Sequence, residues 1–339
     1  MAMPNDFTLS SIWDDFPTLK TELNEVIAVI NDSWEINFSE IDQAIRSQLT
    51  AGKLLRPALT LFFTELSVEP DQNSHQQAIK MAASVELLHL ATLIHDDIID
   101  ESKLRRGSAS IQSAFGKDTA VYAGDYLLTG MFSLISQVNK PNLNTQVIHS
   151  IQRILFGELY QKQNRYNTAN TFENYVKQMD GKTSALFQLA MFYGIHSGTK
   201  DASNTINELV NEFGRKLGIS FQLFDDYLDF SNNANSNMLG KPKNQDIRNG
   251  IYTAPVLFSL EDEQYRKPIL DLLNLRDDIS DLQLDELQEL ILATSAMERL
   301  EDLLYKYQQD LNDLIERLPA PALQQNLQRL VNKLIERQS

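Results

Sequence analysis

The sequence contains no cysteine. That removes disulfides, thiolate metal sites and cysteine nucleophiles together, and it suits a reducing cytosol. Histidine is scarce, with 5 in 339 residues, and no set of them forms the several-histidine pattern a metal phosphohydrolase requires. Basic residues are outnumbered, 30 against 46 acidic, for a net charge of −16. A phosphate backbone needs clustered Lys and Arg, so a nucleic-acid partner is not expected. No run approaches the roughly 20 apolar residues of a membrane span. The stretch Met1–Leu9 carries Asp6 and lacks the basic-then-apolar order of a secretory signal. The expectation is a cytoplasmic protein with no integral membrane segment.

Apolar residues make up 42% of the chain and charged residues 22%, which places it with globular proteins and away from disordered ones. A single domain spanning residues 1–339 is expected at this length. Strand-like alternation is rare, whereas apolar residues recur at helical spacing in Leu54–Leu66, Met81–Ile99, Val147–Leu159, Leu186–Ile195, Ile206–Leu228 and Leu300–Leu314. Breakers fall between these segments at Pro70, Gly107, Pro141, Gly198, Ser231–Pro242, Pro319 and Pro321. An all-α fold of ten or more helices follows. From about Glu261 onward, leucines alternate with Asp and Glu as on a solvated helical face.

Two pentapeptides stand out: Asp96-Asp97-Ile98-Ile99-Asp100 and Asp225-Asp226-Tyr227-Leu228-Asp229. Each ends an otherwise apolar helical segment. At about 100° per residue, positions i, i+1 and i+4 fall within roughly 100° of arc, so each trio is expected on one helix face. Carboxylates so spaced repel, and a helix C-terminus adds the unfavourable end of the dipole. A cation resolves both conflicts, and Mg²⁺ is the natural one, being held by one or two carboxylates together with substrate phosphates. Groups suited to those phosphates surround the clusters: Gly52-Lys53-Leu54-Leu55-Arg56-Pro57, Arg105-Arg106-Gly107, Gly181-Lys182-Thr183 and Gly240-Lys241-Pro242. Arginine offers bidentate contact to phosphate oxygens, lysine a mobile point charge, and glycine close backbone approach.

Over nearly its whole length the sequence resembles the trans-isoprenyl diphosphate synthases, also called polyprenyl synthetases, and most of all the bacterial medium- and long-chain and geranylgeranyl-type enzymes. His95–Glu101 with Leu104–Gly107 is similar to the first aspartate-rich motif, and Gln222 with Asp225–Asp229 to the second. One departure is the Asn-rich stretch after Phe230, longer than the family's usual link to Gly-Lys-Pro. The resemblance implies a helical bundle of the isoprenoid synthase type with a central substrate cavity and two facing aspartate-rich helices. It implies Mg²⁺, with Mn²⁺ as a substitute, ligated directly by Asp96, Asp100 and Asp225, with Asp97, Asp226 and Asp229 nearby. Arg105, Lys182, Thr183, Gln222 and Lys241 would hold an allylic diphosphate of the farnesyl or geranylgeranyl class. Lys53, Arg56, His89 and Arg106 would hold isopentenyl diphosphate. Head-to-tail condensation through a carbocation would follow, with Asp96, Asp100, Asp225, Lys182 and Arg105 carrying the catalysis.

In the family, side-chain bulk on the helix before the first motif sets product length. Here Ser84, Leu88 and Ala91 lie within roughly 60° on that helix, and Ala91 and Thr92 are small, so a product of at least geranylgeranyl length is expected. A homodimer is implied, with a second, dissimilar small subunit as an open alternative. Two other readings compete: a class I terpene cyclase, which has no use for Lys53 and Arg56, and a non-catalytic helical subunit, which predicts decayed acidic motifs.

Overall fold

The computed structural model describes residues 9–34, 36–50, 52–138, 140–231 and 245–336. Among them the chain forms α1 (Pro17–Asp32), α2 (Ser39–Thr50), α3 (Leu55–Phe63), α4 (Ser74–Ile99), α5 (Ile111–Phe115), α6 (Lys117–Ser136), α7 (Pro141–Gln163), α8 (Phe172–Met179), α9 (Ala185–Ile195), α10 (Asn204–Ser231), α11 (Gln245–Arg248), α12 (Ala254–Ser259), α13 (Arg266–Leu273), α14 (Asp281–Leu292), α15 (Ala296–Glu316) and α16 (Pro321–Glu336). The fold is all-α, as the periodicity predicts, and each expected helical segment falls on one of these helices. The breakers act where they stand: Pro141 opens α7, Gly198 follows α9 and Pro321 opens α16.

By contacts the chain divides into two compact units. The first comprises Met1–Val147, Leu189–Val210 and Pro319–Arg337. Its centre is α4, which packs against α6, α3 and α1. Met81, Val85, Leu87 and Ile94 on α4 have no exposed surface, as a helix apolar on every side requires. Among the described residues α4 alone has the length and mean hydropathy of a membrane span, and 72% of that stretch is buried inside the fold; a core helix meets the same test. The amphipathic α1 instead buries one stripe, Leu19, Leu23, Val26, Ile27 and Ile30.

The sequence gives no warning of one local element. Leu104–Arg105 (β1) and Ser108–Ala109 (β2) pair antiparallel, Leu104 opposite Ala109. Arg106 (φ 51°) and Gly107 (φ 81°) both occupy the left-handed region, as a two-residue hairpin turn demands. Two-residue strands are too short to show alternation.

The second unit comprises Ile148–Gln188 and Asn211–Leu318. Its core surrounds α12, whose residues are all buried and which packs on α15, α8 and α14. Leu287, Ile291 and Leu300 are fully enclosed there. The start of α14 is fixed by a capping box, in which Ser280 and Gln283 satisfy each other's backbone N–H groups. A π-helical turn, Asp180–Ser184, joins α8 to α9.

Candidate active site

The first acidic motif ends α4. The helix closes at Asp100, whose N–H donates to Asp96 O (2.8 Å), and Ser102 N–H then donates to Asp97 O (3.0 Å) across the left-handed Glu101 (φ 50°), a helix stop of the Schellman kind. The three aspartates differ in burial. Asp97 is 1% exposed and turns inward to Arg105, whose Nε donates to Oδ1 (2.9 Å) and Oδ2 (3.1 Å) while Nη2 also donates to Oδ1. Asp96 and Asp100 are half-buried at the helix end. On a helical wheel i, i+1 and i+4 are alike; in the fold the middle residue anchors the hairpin, and i and i+4 stay less buried. Arg105, expected on a diphosphate, is engaged with Asp97.

Lys53, Arg56, His89 and Arg106 belong to the same unit. The loop carrying Lys53 is held by Trp13, fully buried, whose indole N–H donates to Lys53 O (2.7 Å). Leu54 then takes a left-handed φ of 52° to start α3. Arg106 Nη1 donates to Gln48 O (2.7 Å) and packs against Gly52, where a Cβ would stand 2.7 Å from it. Arg106 is a residue exposed overall, yet burial of its guanidinium lowers its pKa, Glu86 raises it and Arg105 lowers it. His89 is held well below its ordinary value by burial and by Arg56, Arg106 and Arg105, so it is a neutral imidazole here. On α4, Ser84, Leu88 and Ala91 are buried. Thr92 is half-buried, its hydroxyl donating to His89 O (2.8 Å).

The second motif lies in the last two turns of α10 and has the same polarity. Asp225 and Asp229 are exposed, and Asp226, 2% exposed, turns inward. Tyr175 OH donates to Asp226 Oδ2 (2.6 Å) and Gln222 Nε2 to Oδ1 (3.2 Å), while Thr183 Oγ1 donates to Gln222 Oε1 (3.2 Å). Burial pushes the Asp226 carboxyl up to about 8, against the pull of Tyr175 and Gln222. Thr183, Gln222 and Asp226, chosen separately from sequence, thus form one chain of hydrogen bonds.

Lys182 sits in the π-helical turn, a departure that often marks functional positions. Its Nζ bonds Glu158 Oε2 (3.0 Å) and Gln161 Oε1 (3.1 Å) on α7. The approach is close because Gly157 and Gly181 face each other: a Cβ on Gly157 would meet Lys182 N at 2.6 Å, and one on Gly181 would meet Arg153 O at 2.8 Å. Lys241 lies outside the described residues.

Sequence reasoning missed Glu86, Trp13, Tyr175 and Glu158. None carries a local signal; Trp13, Tyr175 and Glu158 are identified by their partners across the fold, and Glu86 by its burial. Among the described residues no three His, Asp or Glu side chains cluster closely enough to hold a metal by themselves. All-oxygen, paired carboxylates without a closed protein cage fit Mg²⁺, which completes its shell with water and phosphate oxygens.

Residues 39–291 match the family model described as polyprenyl synthetase. The chain is 30% identical over 282 residues to heptaprenyl diphosphate synthase component 2 of Bacillus subtilis, covering 79% of this chain and 78% of that one. Among solved structures it is similar to a geranylgeranyl pyrophosphate synthase of Lactobacillus brevis (TM-score 0.89, 29% identity, 96% and 99% of the two chains). It is also similar to a polyprenyl synthase of Caulobacter crescentus complexed with calcium and isoprenyl diphosphate (TM-score 0.84, 25% identity, 98% and 99%). With the match spanning most of its length and both acidic motifs intact, this chain belongs to the polyprenyl synthetase family and is a prenyltransferase.

Proposed function

We propose that the protein condenses isopentenyl diphosphate head-to-tail with an allylic diphosphate of the farnesyl or geranylgeranyl class, giving a polyprenyl diphosphate of at least geranylgeranyl length in the cytosol. One observation carries the reading. In both motifs the i and i+4 carboxylates stay on the outer side, and the i+1 carboxylate is anchored inward, Asp97 by Arg105 and Asp226 by Tyr175. Asp96, Asp100, Asp225 and Asp229 are the residues that would hold Mg²⁺. When bound, the ion neutralises charge on the departing diphosphate.

Lys182, Thr183 and Gln222 hold the allylic diphosphate in this reading. Lys53, Arg56 and Arg106, with neutral His89 as a hydrogen-bonding group, hold isopentenyl diphosphate. The allylic C–O bond ionises, the double bond of isopentenyl diphosphate attacks the cation, and the released diphosphate takes the proton. The apolar side chains of α4 keep water from the cation. The family match spans residues of both units, which supports residues 1–339 as one functional domain. No observation favours a terpene cyclase or a non-catalytic subunit.

Labelled isopentenyl diphosphate, incubated with farnesyl or geranylgeranyl diphosphate, Mg²⁺ and the purified protein, should be drawn into products of twenty carbons or more. Failure to consume it would overturn the reading. Ala91→Phe fills a fully buried position on α4 and should shorten the main product while the first condensation persists; unchanged lengths would rule out α4 as the ruler.

A homodimer is also proposed. On α6, Val121, Tyr122, Tyr126 and Phe132 are 40%, 74%, 41% and 47% exposed, within roughly 140° of one face. A patch of this kind marks an interaction surface. Sedimentation should give twice the chain mass, and Tyr122→Glu should shift it towards the monomer; a monomeric wild type would refute the dimer. A second, dissimilar subunit has one support, the Bacillus relative's designation as component 2, and turnover by the purified chain alone would dispense with it.

A further inference from the structure

Glu86 is a charged side chain in the interior of α4, 3% exposed, three residues before His89 and ten before Asp96. A lone buried carboxylate costs several kcal/mol unless opposite charge compensates it. Burial pushes the Glu86 carboxyl up, and Arg56 and Arg106 draw it down. Arg56 stands on α3, which packs against α4, and Glu86 lies one turn before His89 on α4. Arg105, the third arginine of the neighbourhood, is matched by Asp97, and Glu86 is the other buried carboxylate on α4.

The surroundings are built rather than accidental. Arg106 is tethered to Gln48 O and seated on Gly52, and Trp13 fixes the loop that leads into Arg56. Of the Glu86 carboxylate, Oε2 is buried and accepts no hydrogen bond among the described residues. A buried acceptor left in this way, beside two arginines that carry substrate phosphate, points to a role beyond packing.

We propose that Glu86 is a positioning residue for isopentenyl diphosphate. From the buried side it compensates the Arg56 and Arg106 guanidiniums, keeping them side by side so that their outer N–H groups receive the diphosphate. This rests on the assignment of Arg56 and Arg106 to that substrate. Without the carboxylate the two cations repel and turn towards water, and the substrate must then reassemble them.

Glu86→Gln keeps the shape and removes the charge. The KM for isopentenyl diphosphate should rise at least about tenfold, while kcat and the KM for the allylic substrate stay within about threefold, the split expected when binding of one substrate alone is lost. An unchanged or lower KM overturns the proposal, as does a parallel loss in all three constants. Should Glu86→Gln fail to fold, Glu86→Asp keeps the charge but withdraws it by one methylene. A selective rise of about threefold or more in the same KM is then expected, and no change overturns the proposal. A wild-type enzyme that does not consume isopentenyl diphosphate removes the functional assignment and this inference together. Normal wild-type turnover with an unaltered KM in the variant removes the inference alone.

Discussion

Asp96→Ala and Asp225→Ala are each expected to lower the rate of condensation by roughly 10³-fold or more, and excess EDTA to abolish it. Each substitution removes an outer carboxylate at a helix end where the peptide dipole already disfavours negative charge, a position that is rational only with a cation present. A loss of that size corresponds to roughly 4 kcal/mol of transition-state stabilisation, at about 1.36 kcal/mol per tenfold. Both variants retain the buried anchors of the two motifs, Asp97 on Arg105 and Asp226 on Tyr175. Folding should survive, and the loss should appear in single-turnover rates at saturating substrate. Near-normal rates in either variant, or full turnover in EDTA, would refute the assignment of these carboxylates to the metal.

Gly157→Val should impair use of the allylic substrate about 100-fold, although residue 157 carries no chemistry. A Cβ there would stand 2.6 Å from Lys182 N, 3.1 Å from Gly181 C and 3.2 Å from Gln178 O. All three are backbone atoms, which cannot rotate aside as a side-chain end would. Relief comes only by separating α7 from the π-helical turn. That movement withdraws Lys182 from Glu158 and Gln161, which stand on α7 beside Gly157. Overpacking of this kind costs roughly 1–3 kcal/mol of stability, and misplacing a substrate-holding group by about 1 Å costs on the order of 10²-fold in rate. Thermal unfolding and kcat/KM for the allylic diphosphate read the two consequences separately. A variant with the wild-type kcat/KM would show that the Gly157–Lys182 contact does not position the lysine.

Much of this was legible along the chain. Helical spacing identified α4 and α10, and their apolar lead-ins distinguished the acidic clusters from surface patches. The hairpin at Leu104–Ala109 escaped because its strands are only two residues long. The different fates of Asp96 and Asp97 escaped as well. A helical wheel fixes angles within one helix, whereas Asp97 is buried because the returning hairpin brings Arg105 over it.

By itself the sequence determined the helical class, the places where helices stop, and the residue types gathered for magnesium and diphosphate, since propensity, breakers and spacing are properties of neighbouring residues. The tertiary structure decided which aspartate of each trio turns inward, which glycines admit another backbone, and which buried group answers Arg105. Tyr175 and Asp226 are 51 residues apart, and Trp13 and Lys53 are 40 apart. Nothing in the local spacing specifies such a partner. Packing selects it, because a buried polar group must find whatever complementary group the fold delivers to its side.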